Sequence, residues 1–337
     1  VTKFRVPGLN FSIKDSTATN DYVLTVDANG DAGWEAAGGG AGTGEQFVYL
    51  KDSTGSLANN GENTYAGYNA GNSLANDGSQ NTFYGYYAGQ AVTTGDRNVC
   101  IGKEAGKTVA TGSDGVYIGY RAGRVTTVSN TVAIGSSALK ELTTGLYNVA
   151  IGKSALKENT TGQGNTSIGE DVLKANTTGE YNTAIGYLSL DATTTGTNNT
   201  ALGYLAGSAI TTANKNVCIG DSALKANQTE SFHTAVGFES GQAFNSGSAN
   251  TWIGTQAAKS STTQNYVTAI GNGVLQNKSE DFHSITALGY GAMQWANGNY
   301  CTALGVQALN NSTGTNNVGV GYQAGEDVSS GSDNTIV

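Results

Sequence analysis

The chain has 337 residues, 49 of them glycine and one proline, with 13% charged residues and a formal net charge of -9. That acidity disfavours nucleic acid and anionic membrane surfaces as partners, since both are held by clustered Lys and Arg. No apolar run approaches the ~20 residues of a membrane span, and glycine recurring at a fixed period argues for folded repeats over disorder.

Residues 1–45 lie outside the repeat. Phe11 to Ile13 and Tyr22 to Val26 read as short strands. DANGDAG, Asp27 to Gly33, supplies an Asn-Gly turn, so a small hairpin is expected ahead of Trp34. Gly38 to Gly44 reads as a glycine-rich linker or a tight passage between chains. We expect this segment to serve for attachment. Residues 46–62 contain FVYL, Phe47 to Leu50, one period before the first full phrase. They read as a degenerate capping coil, because a terminal coil of a stack must differ from the rest.

From residue 63 to residue 337 one phrase repeats. It is clearest in NTAIGYLSLDATTTGTNNTALG, Asn182 to Gly203. The glycine closing each apolar run recurs sixteen times, from Gly67 to Gly321, at intervals of sixteen to eighteen residues. Gly135, Gly152, Gly169, Gly186, Gly203 and Gly220 mark its most regular part. Thr or Val stands three residues before every one of these glycines. Ile, Leu or Val stands one residue before in fourteen of sixteen.

In Thr183-Ala184-Ile185 the outer residues share one face and the alanine takes the other, as a strand requires. The next patch is Ala-Leu in some rungs (Ala138-Leu139) and Ala-Gly in others (Ala88-Gly89). It fits either a second short strand or one helical turn. Thr-Thr-Gly corners, such as Thr160 to Gly162, are expected to supply the positive φ of a tight turn. Such coils make an all-β parallel β-solenoid, or β-roll, of seventeen-residue coils. At ~4.8 Å per coil, sixteen rungs span about 77 Å. The slot two before the glycine is mostly Ala, Ser or Cys, and this row of small residues is expected to allow close approach of identical chains. Counting the phrase forward from Gly321 puts its next glycine at position 338. The array is therefore expected to continue beyond Val337.

Candidate sites follow the same period. Asn148, Asn165, Asn182 and Asn199 stand four before the glycine and read as a structural ladder, because asparagine bonds nearby backbone and stacks in rows. Asn159-Thr160-Thr161 matches a glycosylation sequon. Aromatic residues follow the glycine at Tyr187, Tyr204, Tyr290 and Tyr322, a possible glycan-stacking stripe or a packing row. His233 occupies an asparagine slot and reads as a turn residue. Cys100 and Cys218 share one slot but lie seven rungs apart, too far for a disulfide. They read as buried small residues. We expect no catalytic site, metal or cofactor, since no convergent set of titratable groups stands out.

The TAIGxxAL phrase with Thr-Thr-Gly turns resembles the repeats of tail-fibre proteins of bacteriophages and contractile injection systems. More distantly, it is similar to the head repeats of trimeric autotransporter adhesins. DYVLTVDANGDAGWE, Asp21 to Glu35, looks like a segment found ahead of such arrays. The resemblance implies a left-handed homotrimeric fibre on a virion or cell surface. It implies two identical chains as partners, a particle or baseplate protein at the N-terminal end, and a host receptor met through a C-terminal tip. The expected function is a non-enzymatic shaft. Alternatives are a surface adhesin for host glycans or matrix and, more remotely, a polysaccharide-degrading tailspike or an ice-binding solenoid.

Overall fold

A computed structural model describes residues 22–26, 32–36, 63–74, 78–277 and 282–337. The chain divides into two compact units, Val1–Gln46 and Phe47–Val337. In the first, Tyr22–Val26 pairs antiparallel with Ala32–Ala36, Tyr22 opposite Ala36 and Val26 opposite Ala32. The expected strand at Phe11 to Ile13, the linker and the FVYL coil lie outside the described residues.

The second unit is a parallel β-solenoid. Its main sheet is a ladder of short strands from Thr64–Ala66 to Thr335–Ile336. Each strand pairs in parallel with the next in register, so Thr183 sits between Thr166 and Thr200, and Ile185 between Ile168 and Leu202. The sheet is a linear stack: its first strand pairs with Thr82–Tyr84 and its last with Val318–Val320. Insertions and deletions of one residue are absorbed in the turns. Thr64 still meets Thr82 and Thr302 still meets Val318. A smaller parallel sheet, Ser246–Ser248, Thr263–Asn265 and Phe282–His283, forms beside it in three consecutive coils.

The patch after the glycine is neither strand nor helix. It is a run of turns in which the residues two and four after the glycine take positive φ, as in Ser154 (57°) and Leu156 (49°). A left-handed residue cannot continue a helix, so its N–H turns to the next coil. Leu139 donates to the Ala155 carbonyl at 3.0 Å, and Leu156 to that of Val172 at 3.0 Å.

This explains the alternation of Ala-Leu with Ala-Gly. The fourth residue after the glycine points into the coil beside the residue two before it. Where that partner is small, leucine fills the space, as Leu156 and Leu190 do. Beside the large Phe83 and Tyr117 it is glycine, and beside Trp252 it is only alanine, Ala258. A Cβ on Gly89 would lie 2.6 Å from the Phe83 ring and one on Gly123 2.1 Å from the Tyr117 ring; Gly241, beside the small Ala235 of its own coil, meets the Trp252 ring of the next coil, 2.6 Å from where its Cβ would be.

Two expectations are corrected. The row of small residues does not face outward to receive a partner. Ala133, Ala150, Ser167, Ala184, Ala201 and Cys218 are buried inside their own coils. Alternation along the strand therefore sends the Thr/Val and Ile/Leu rows outward, half-buried or exposed. The coil interior is thinner than one Ile per rung would make it. The second correction concerns the Thr-Thr-Gly corners. Gly145, Gly162 and Gly179 do not have positive φ. They are glycine because coils stack there at backbone contact: a Cβ on Gly162 would lie 2.3 Å from the Gly179 carbonyl oxygen. The rung glycines are constrained both ways. Gly186 has φ +120°, and its Cβ would lie 2.5 Å from the Gly203 carbonyl oxygen.

Candidate functional site

Two kinds of row run along the stack, one inside the coils and one outside. The inner row is the asparagine column. Asn182 donates from Nδ2 to Asn165 Oδ1 at 3.1 Å and to the Gly196 carbonyl of the next coil at 2.8 Å. Its Oδ1 accepts the Asn199 N–H at 2.9 Å and Asn199 Nδ2 at 3.1 Å. Asn148 and Asn165 repeat the arrangement. These side chains are fully buried, so each amide must find its partners within the protein. Where the slot holds asparagine, the column thus ties the strand start to the corner of the coil above.

A second buried asparagine pair lies across the coil. Asn176 donates to Asn159 Oδ1 at 2.9 Å and Asn159 to the Gly162 carbonyl at 2.9 Å. The sequon asparagine is therefore inside the coil and not presented for glycosylation.

His233 replaces asparagine in the main column. It is buried, not at a surface turn. Its ring stacks on Trp252 at 5.6 Å and meets Phe244 edge-on at 4.6 Å. Nδ1 accepts the Asn250 N–H at 3.3 Å, and Nε2 has no partner in the core. Burial pushes its pKa down to about 4. Burial likewise pushes the Cys218 thiol up to about 12 and raises that of Cys100. Neither is a thiolate nucleophile at neutral pH, and none of the three cysteines is in a disulfide.

The outer row is the strand face. The Ile/Leu column runs outward from Ile101 through Leu304, with Leu202 and Leu288 46% and 45% exposed. Beside it stand the aromatic residues that follow the glycine. Tyr187 and Tyr204 stack at 5.9 Å with planes 7° apart, and Tyr68 stacks on Tyr86 at 5.4 Å. Tyr290 and Tyr322 are exposed in the same column. Lys153 and Glu170 interrupt the stripe and pair with each other at 2.7 Å. The four named tyrosines thus stand in one file, of which only adjacent pairs touch.

The Thr-Thr corners use the first hydroxyl of each pair within the stack. Thr143 Oγ donates to the Thr160 carbonyl at 2.8 Å, and Thr160 Oγ to that of Thr177 at 3.0 Å.

Among the described residues, no group of three or more His, Cys, Asp or Glu side chains is placed to hold a metal ion. Also among them, no helix is long and apolar enough to cross a membrane. No family model and no curated protein sequence matches this chain.

Sequence reading missed one row. The residue five before the glycine also takes positive φ and points to solvent, and in five rungs it is aromatic: Tyr147, Tyr181, Phe232, Tyr266 and Tyr300. The signal was available as an aromatic recurring one residue ahead of the asparagine slot. The interposed rungs, where the slot holds small or polar residues, hid it.

Proposed function

We propose that the array is a non-enzymatic fibre shaft formed by three identical chains, which holds a receptor-binding tip away from a phage tail or injection apparatus. The observation that carries this reading is the outward strand face. A column of Ile, Leu and Val from Ile101 to Val320, with Thr/Val on one side and a row of Tyr interrupted by charged and polar residues on the other, faces away from the coil interior. A contiguous apolar surface of that extent marks an interaction site. Its repeat matches itself, so another copy of this chain is the partner it fits best. The number three, the left-handed twist and the placement on a virion or other extracellular particle come from the resemblance of the repeat.

Stiffness is the property the shaft supplies. Backbone bonds join every coil to its neighbours along the axis, and the buried asparagine column adds side-chain bonds in the same direction. The resulting unit is a one-dimensional stack whose length grows with repeat number.

The double variant Ile185→Asp/Leu202→Asp tests the shared face. Both side chains point away from the coil interior, so the strand ladder and its circular dichroism are expected to survive. The sedimenting mass is expected to fall from that of a trimer to that of one 34.3 kDa chain. An unchanged mass, with the coil intact, would remove the basis of the reading.

A further inference from the structure

Among the described residues, from Gln80 to Asp333, the corner five residues before each rung glycine is left-handed. Asn130, Gly164, Asn198 and Asn316 are the residue types such a position accepts. Tyr147, Tyr181, Phe232, Tyr266 and Tyr300 are not, with φ between 56° and 68°. A bulky residue held there costs on the order of 1 kcal/mol or more. Core packing does not offset that cost, because these rings are 54% to 65% exposed.

The five rings are also regularly placed. Tyr147 and Tyr181 stand two rungs apart with Gly164 between them. Phe232, Tyr266 and Tyr300 stand two rungs apart with Ala249 and Ser284 between them. Each series is ring, gap, ring. Two rungs are ~9.6 Å along the axis, close to the disaccharide repeat of an extended β-1,4-linked polysaccharide.

The row is held in place by backbone. Tyr181 N–H donates to the Gln163 carbonyl at 2.9 Å, Tyr266 N–H to that of Ser248 at 3.0 Å, and Tyr300 N–H to that of His283 at 3.0 Å. The Tyr181 ring lies over Gly164, where a Cβ would come 2.6 Å from its Cδ1, and the residue is 54% exposed. Hydrogen-bonding side chains stand beside Tyr181 and in the rungs between the two series. Gln163 Nε2 donates to Tyr181 Oη at 3.0 Å, and Thr197 Oγ donates to Asn214 Oδ1 at 2.8 Å. Lys215 holds its ammonium 5.3 Å from the Phe232 ring centroid.

We propose that these two series form a binding track for an extended, neutral β-1,4-linked polysaccharide lying parallel to the coil axis. Each ring stacks on every second sugar, and in the longer series the small residues Ala249 and Ser284 leave room for the intervening one. Flat aromatic faces match the apolar faces of equatorially substituted pyranoses, and amides and hydroxyls beside them match their hydroxyl edges. The net charge of -9 selects against a polyanionic chain. A coiled α-linked glucan does not keep the two-rung repeat. This site is separate from the strand face and from the tyrosines that follow the glycine, and it goes beyond the shaft reading.

The test is affinity electrophoresis of the full chain in gels containing hydroxyethylcellulose, with amylose gels as the control. Asparagine is the informative replacement because it suits a left-handed corner. The double variants Tyr147→Asn/Tyr181→Asn and Tyr266→Asn/Tyr300→Asn are each expected to weaken retardation at least tenfold, as loss of aromatic contacts worth about 1 kcal/mol each implies. Their unfolding midpoints should match or exceed that of the parent, and Tyr187→Ala/Tyr204→Ala should bind as the parent does. The proposal is overturned if hydroxyethylcellulose does not retard the parent chain, if amylose retards it equally, or if the asparagine variants bind unchanged. It is also overturned if those variants dissociate an assembly, which would make the row a contact between chains. A parent chain that binds but sediments as a monomer would refute the trimeric shaft and leave the track standing.

Discussion

Replacing Asn182 by alanine isolates what the inner column contributes. The change removes Nδ2, which serves Asn165 Oδ1 and the Gly196 carbonyl, and Oδ1, which serves the N–H and Nδ2 of Asn199. Asn199 Nδ2 keeps its bond to the Ala213 carbonyl at 2.8 Å, and Asn165 Oδ1 keeps the Asn182 N–H at 2.9 Å. The two groups left short are the Asn199 N–H and the Gly196 carbonyl, both in the stack interior. A buried group deprived of its partner costs about 1–3 kcal/mol. With the cavity left by the amide, the loss should be roughly 3–5 kcal/mol. Coupling in such a stack is between neighbours, so the damage should centre on the coils that contain Asn165, Asn182 and Asn199. Backbone amide exchange read along the chain is the assay. Protection at Asn199 should fall by a factor of about 100 or more, while amides near Asn98 should keep theirs. A loss below ~1 kcal/mol, or one spread evenly over all coils, would refute the column as a source of local cohesion.

Gly162→Ala should destabilise by several kcal/mol although its φ is ordinary, because the new Cβ meets the Gly179 carbonyl oxygen at 2.3 Å. A urea midpoint equal to that of the parent would contradict the close stacking of the corners. His233 should make stability depend on pH. Its folded pKa of about 4 lies below its ordinary 6.5, so the contribution is complete above pH 6.5 and is lost as pH falls through 6.5 towards 4. The shift corresponds to roughly 3 kcal/mol in full. His233→Asn should remove that slope between pH 7 and 4.5, and equal slopes in parent and variant would exclude the buried imidazole as its cause.

The solenoid was legible because its signals are local and repeated. A strand triplet, a glycine and a turn recur with a period that only stacked coils satisfy. The direction of each strand face was harder to read. Alternation separates Thr183 and Ile185 from Ala184, but it does not say which side faces the coil interior. Hydrophobicity pointed to isoleucine, whereas the narrow coil admits only alanine beside Leu190. Gly89 and Gly123 carried the missing information, since they accompany Phe83 and Tyr117 at the facing slot. Left-handed corners were legible where Asn or Gly occupied them and hidden where Tyr did. Leu139 and Leu156, buried and left-handed, break the usual preference outright because filling the core outweighs the local strain. The asparagine slot of His233 was legible, and its burial was not. Its slot, more than its residue type, fixes it inside the stack among Phe244 and Trp252.

The central claim is that the outward Ile/Leu face is a contact between copies of this chain. Native mass spectrometry of the intact, unmodified protein tests it most directly. The account requires three times the 34.3 kDa of one chain, persisting on dilution. A single-chain mass at every concentration, with the apolar face left in water, would contradict it.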